Sequence, residues 1–239
     1  CNWVYSIIFK NILILIERVT EMRVLFLSVT AGQGHHSTAQ AMMNFLRDKG
    51  IECELLDTYK YINSILGQTV DKGYNYTTIY TPGAYRYIYR MLEKKHKSGK
   101  ISVPYLINSI FALKLSDYIV EYNPDLIVST HCFTAVLCSV LKGQGKLKCK
   151  TIGIITDYTI HPFWEDTPNI DYYVTGNELL LNQAVKKGLD PDKILPYGIP
   201  VRPMFNNKIE KEAAKEELNI NKDMFTILLM GGGTGYGKM

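Results

Sequence analysis

The chain has 239 residues, 46% hydrophobic and 21% charged, with a formal net charge of +4. That length and balance describe one large globular domain or one and a half ordinary ones, and they exclude a chain that is disordered throughout. The five cysteines are scattered, odd in number and without a CxxC pair, which fits reduced thiols better than a disulfide framework, and the small basic excess alone does not argue for nucleic acid.

The first 21 residues, "CNWVYSIIFKNILILIERVTE", precede the first methionine, Met22. Their apolar run is interrupted at Lys10 and Asn11 and falls short of the ~20 residues a spanning helix needs. It lacks a small-residue cleavage site. A membrane-surface helix is one reading. The favoured expectation is that translation begins at Met22 and residues 1–21 are an extension, upstream sequence read in frame.

From Met22 the pattern is α/β. Arg23–Thr30 is a nearly continuous apolar run, the mark of a strand buried on both faces. Residues 37–49 read as a helix, with Ala39, Met42, Met43 and Leu46 on one side and Gly50 as its stop. Further strands are expected at Ile51–Asp57, Asp125–Thr130, Lys150–Thr156 and Asp171–Thr175, with helices near 132–142 and 177–188. This alternation implies a Rossmann-like parallel sheet flanked by helices with right-handed crossovers.

Residues 58–122 break the rhythm, and helices are expected there, broken near Pro82-Gly83 and Gly99. Tyr85, Tyr89, Arg90, Lys94, Lys95 and Lys97 belong to a Tyr/Lys-rich insertion. One reading packs the tyrosines on the sheet and leaves the lysines in water. The other is an anionic membrane surface contact, where each basic residue is worth about 1 kcal/mol. Single-stranded RNA would use the same residue types, but no RNA-binding signature accompanies them.

Residues 206–223 are polar and read as a linker with a helix at Lys211–Leu218. A strand is expected from Phe225, leading into "GGGTGYG". That loop has the spacing of a P-loop from Gly232 to Lys238, but Met239 stands where Ser or Thr would hold magnesium. It is therefore read as a Gly-rich loop that approaches phosphate. The domain expectation is a first domain over 22–205 and, over 206–239, the start of a second domain whose remainder lies beyond this sequence.

Ligands of parallel α/β sheets bind outside the carboxyl ends of the strands. His35 and His36 follow the first strand, His131 follows "DLIVST", and Asp157 and His161 follow "TIGIIT". His35 stands after Gly32-Gln33-Gly34 at a helix start, where backbone N–H groups favour an anion and the dipole lowers an imidazole's pKa. A neutral histidine there suits removal of a proton from an attacking hydroxyl. The alternative is a tight turn with two polar residues near the cap. A metal reading would collect His35, His131, His161 and Asp157, although no pair has HxxxH or HxH spacing.

"MRVLFLSVTAGQGHHSTAQAM", "LIVSTHCFTA", "GIITDYTIHPFWEDTPNIDYYVTGNE", "YGIPVRPMF" and "ILLMGGGTGYG" together resemble the monogalactosyldiacylglycerol synthase and processive diacylglycerol glucosyltransferase group. The resemblance implies the N-terminal half of a GT-B fold, in which the domain over 22–205 binds the acceptor, and an inverting transfer of a hexose from UDP-glucose or UDP-galactose to diacylglycerol, without a metal cofactor. It implies His35 as general base and donor-phosphate contacts from Gly32, Gly34, Gly232, Gly233 and Gly235. His36, His131, Asp157, His161 and Trp164 would lie at the acceptor site or cleft. His36 stands where relatives vary, so a swap of roles with His35 stays open. The resemblance further implies a cytoplasmic protein, peripheral on the inner face of the cell membrane, with no nucleic-acid partner. Residues 1–239 alone are expected not to transfer sugar. Three alternatives remain: a related GT-B enzyme for another lipid or cell-wall acceptor, a metal-dependent hydrolase using the histidines, and a non-catalytic membrane-binding module.

Overall fold

A computed structural model describes residues 22–30, 33–62 and 103–230. Six parallel strands form one sheet in the order β2-β1-β3-β4-β5-β6. They are β1 Arg23–Ser28, β2 Glu52–Asp57, β3 Leu126–Ser129, β4 Lys150–Ile154, β5 Tyr172–Val174 and β6 Ile194–Leu195. Helices α1 Gly34–Arg47, α2 Thr58–Ile62, α3 Val103–Tyr122, α4 Cys132–Gly143, α5 Leu181–Lys186 and α6 Lys211–Glu217 complete the main elements. The α/β, Rossmann-like expectation holds, and the helices α2 and α3 flank residues 63–102, which lie outside the described residues.

The continuous apolar run of β1 has a simple cause. Val24 and Phe26 join a core with Met42, Met43 and Leu46 of α1. Leu25 and Leu27 join the opposite core with Leu115 of α3 and Ala135 and Leu141 of α4. Alternate side chains from Val24 to Leu27 thus fill two cores, so these four positions are all apolar. Gly50, at φ 78°, turns the chain out of α1 into β2, a backbone conformation that glycine adopts without a Cβ penalty.

Two elements differ from expectation. Helix α1 starts at Gly34 rather than near Ser37, because the Ser37 amide already donates to the Gln33 carbonyl at 2.9 Å. Both histidines therefore sit in the first helical turn, and neighbouring residues there point about 100° apart. Residues 225–230 form no strand, although their sequence favours one. Phe225 is 89% exposed and Leu228 77% exposed, so the run meets no apolar surface to pair against. The two edges of the sheet are β2 and the two-residue β6.

Gly153, in the middle of β4, lets the Trp164 ring pack close against the strand. A Cβ at Gly153 would come within 2.6 Å of the indole ring, which is itself 2% exposed and edge-on to Tyr173. Gly153→Ala is expected to lower unfolding stability by about 1–3 kcal/mol, the usual range for overpacking a filled core. Denaturant unfolding checks this; wild-type stability in the variant would refute the packing.

Candidate functional site at the carboxyl edge of the sheet

The chain runs from β1 outward to β2, then returns to place β3 on the other side of β1. This reversal is the switch point at which parallel α/β sheets take ligands. Helix α1 begins there. Asp57 ends β2, Thr130 and His131 follow β3, and Thr156 and Asp157 follow β4. Neighbouring strands in the observed order thus bring together residues far apart in sequence.

His35 points toward the β3 side. Its Nδ1 lies 2.7 Å from the Thr130 carbonyl oxygen and 3.0 Å from Thr156 Oγ1. A carbonyl oxygen only accepts, so Nδ1 must carry the proton and donate it. The neutral ring then holds its lone pair on Nε2, which no described residue hydrogen-bonds. The His35 pKa is lowered, first by burial and further by the charge of His36; the Thr130 carbonyl and Asp157 oppose the shift. Burial, rather than the helix dipole invoked from sequence, is the leading cause.

His36 points toward β2. Its Nδ1 lies 2.7 Å from Ser28 Oγ. Its Nε2 faces Thr30 Oγ1 at 3.5 Å and Asp57 Oδ2 at 3.6 Å. Thr30 donates its hydroxyl proton to Asp57 Oδ2, so both groups facing Nε2 are acceptors. Nε2 therefore carries the proton, and Nδ1 meets a serine that is fully buried. Burial pushes the Asp57 carboxyl up, but hydrogen bonds from His36, Thr30 and Lys60 outweigh it and hold the group below the usual carboxylate range. Both ring nitrogens of His36 are thus engaged, whereas His35 keeps one open.

His131 and His161 share a different arrangement. Each is a helix N-cap whose Nδ1 accepts the amide of the second following residue: Phe133 at 3.1 Å and Phe163 at 3.2 Å. The Cys132 sulfur sits between them, 3.9 Å from His131 Nδ1 and 3.8 Å from His161 Nδ1. Burial pushes the Cys132 thiol up to about 12, so it stays protonated and unreactive near neutral pH. The His131 ring packs edge-on against His35, with centroids 4.6 Å apart. Burial drives its pKa well below the ordinary imidazole value, and the charges of His35 and His161 add to that.

Asp157 is exposed at the rim. Trp164, expected in the cleft, is instead buried in the core over Gly153. A Cβ at Gly34 would meet no described residue within 4 Å, so among the described residues the start of α1 is open to approach. The Gln33 cap makes no side-chain bond there, and no acidic residue occupies the first turn. Among the described residues, no group of three or more His, Cys, Asp or Glu is placed to hold a metal ion. Gly32, Gly232, Gly233, Gly235, Tyr85, Tyr89, Arg90, Lys94, Lys95 and Lys97 lie outside the described residues.

Sequence reasoning missed Ser28, Asp57, Thr130 and Thr156 as partners of the histidines. Asp57 was within reach, because it is an acidic residue closing a strand at the edge where ligands bind. Thr130 acts through its backbone carbonyl, which carries no signature in the sequence.

The family described as monogalactosyldiacylglycerol (MGDG) synthase matches residues 35–201. The chloroplastic monogalactosyldiacylglycerol synthase of Spinacia oleracea is 28% identical over 94% of this chain and 44% of its own length. The processive diacylglycerol beta-glucosyltransferase of Bacillus pumilus is 23% identical over 92% of this chain and 56% of its own. The chain spans about half the length of these curated relatives. Among solved structures, the apo form of a lipopolysaccharide outer core galactosyltransferase, WaaB, superposes with a TM-score of 0.46 at 14% identity, over 73% of this chain and 44% of that one.

The lowered pKa values of His35 and His131 make stability depend on pH. Their folded pKa values lie below the unfolded value of about 6.5, so the unfolded chain binds more protons as pH falls through it. Stability is therefore full above about pH 6.5 and declines in acid. His131→Asn keeps an N-cap acceptor but cannot titrate. Its unfolding free energy is expected to fall less steeply from pH 7 to 5 than that of wild type; equal slopes would refute the assignment.

Proposed function

The chain belongs to the monogalactosyldiacylglycerol synthase family, and from that premise we propose that it transfers a hexose from UDP-glucose or UDP-galactose to diacylglycerol. The observation that carries the reading is the His35 ring. Its Nδ1 proton is committed to the Thr130 carbonyl, which leaves Nε2 as a basic nitrogen that no described residue engages at the switch point. In the proposed step the lipid hydroxyl gives its proton to Nε2 as its oxygen attacks the anomeric carbon. The bond to UDP breaks on the opposite face, and the configuration inverts. UDP departs with the bonding electrons, and the imidazolium later returns its proton to solvent.

Several features support this step. Burial keeps His35 unprotonated near neutral pH, as a general base must be. The open first turn of α1 offers amides to a diphosphate, the contact proposed for Gly32 and Gly34. His36, with both nitrogens engaged, fits the base role poorly. His131 and His161 spend their Nδ1 lone pairs on capping, which weakens the hydrolase alternative. The proposal needs no metal: the amides of the helix start and the second domain expected from sequence would stabilise the leaving diphosphate. The protein is proposed to work as a peripheral protein on the cytoplasmic face of the membrane, where its lipid acceptor resides. Among the described residues no helix is long and apolar enough to cross a membrane.

The test uses the longest chain the gene encodes, with diacylglycerol vesicles and each nucleotide sugar in turn. His35→Ala is expected to reduce glycolipid formation by about 100-fold or more, the scale of a lost general base. The acid limb of the wild-type rate profile should fall below about pH 6.5. A His35→Ala variant that retains the wild-type rate would overturn the base assignment. Wild-type protein without product from either donor would overturn the reaction itself.

A further inference from the structure

We infer that Asp57 is a positioning residue that keeps His35 aimed into the cleft by anchoring its neighbour His36. The inference rests on the reading of His35 as the base. Helix α1 starts without a side-chain cap at Gln33. Its first turn is held instead by two rings that reach in different directions. The His35 ring is tied to the β3 side through the Thr130 carbonyl. The His36 ring is tied to the β1 and β2 side through Ser28 and the carboxylate of Asp57. Adjacent residues of one helical turn share a rigid backbone, so loosening either anchor lets the turn rotate and moves both rings.

Asp57 suits this task because its own place is fixed twice. Its Oδ1 accepts the Lys60 amide at 3.3 Å, at the head of α2. Its Oδ2 takes the Thr30 hydroxyl and lies 3.3 Å from the Lys60 ammonium. One oxygen thus caps α2, and the other faces His36. The two jobs are separable. Serine at this position can still cap α2, but its hydroxyl is too short to reach His36. Asparagine keeps the cap and the length and loses the charge.

The experiment compares wild type, Asp57→Asn and Asp57→Ser. Imidazole nitrogen shifts are read by NMR, and transfer kinetics are measured with diacylglycerol vesicles and the accepted UDP-sugar. In wild type, His36 is expected as the Nε2–H form. In Asp57→Ser that preference should be lost, the His35 nitrogen signals should move, and kcat should fall about tenfold or more, as expected for a displaced reacting group. KM for the nucleotide sugar should stay within about twofold, because the open amides of α1 remain. Asp57→Asn should recover part of kcat. If Asp57→Ser lowers only the melting temperature while kcat and the His35 signals match wild type, Asp57 is a cap alone and the inference is overturned. If wild type shows no transfer, the proposed reaction fails, and the His35 signals in Asp57→Ser still decide this inference: displaced signals support it, unchanged signals overturn it.

Discussion

The site depends on a single hydrogen bond, from His35 Nδ1 to the backbone carbonyl of Thr130. A carbonyl cannot donate, so the bond selects one tautomer and leaves the basic lone pair on the other nitrogen. Rotating the ring away would break the bond, and a buried amine-type donor left without an acceptor costs about 1–3 kcal/mol. The acceptor comes from the residue directly after β3, whose pairing with β1 sets its distance from α1. Sheet order therefore determines which nitrogen of a side chain on another element is basic.

Three histidines of this edge show how local partners give one residue type different work. In His35, Nδ1 donates to a carbonyl. In His131 and His161, Nδ1 accepts from an amide two residues on, so their neutral rings carry the proton on Nε2. The latter two hold α4 and the Pro162–Asp166 turn in place. His131 also provides the wall against which His35 packs. His131 thus helps to bury the His35 ring, and that burial lowers the pKa of the base.

Much of the architecture could be read from the residues. The two-sided apolar run of β1 and the stop at Gly50 depend on local pattern, which a sequence carries directly. The apolar periodicity places the start of α1 near Ser37, three residues late, because the polar first turn carries no apolar pattern although the Ser37 amide is already part of the helix. Phe225–Met230 has the composition of a strand, but a strand also needs a partner, and composition does not provide one. In the site, placing histidines after strands located them correctly at the carboxyl edge. Which histidine keeps an open nitrogen depends on Thr130, Ser28 and Asp57, contacts set by strand order. The family resemblance sets Trp164 in the cleft with Asp157 and His161, but the turn starting at Pro162 folds the indole back onto Gly153.

The central claim is that His35 is held as the neutral Nδ1–H form with Nε2 open. Nitrogen NMR of the unmodified protein, with the ring of His35 selectively assigned and titrated from pH 8 to 5, tests it most directly. The account predicts a protonated Nδ1 and an unprotonated Nε2 at pH 8, and a midpoint below the ordinary imidazole value of about 6.5. A proton on Nε2 at pH 8, or a midpoint above that value, would contradict the account.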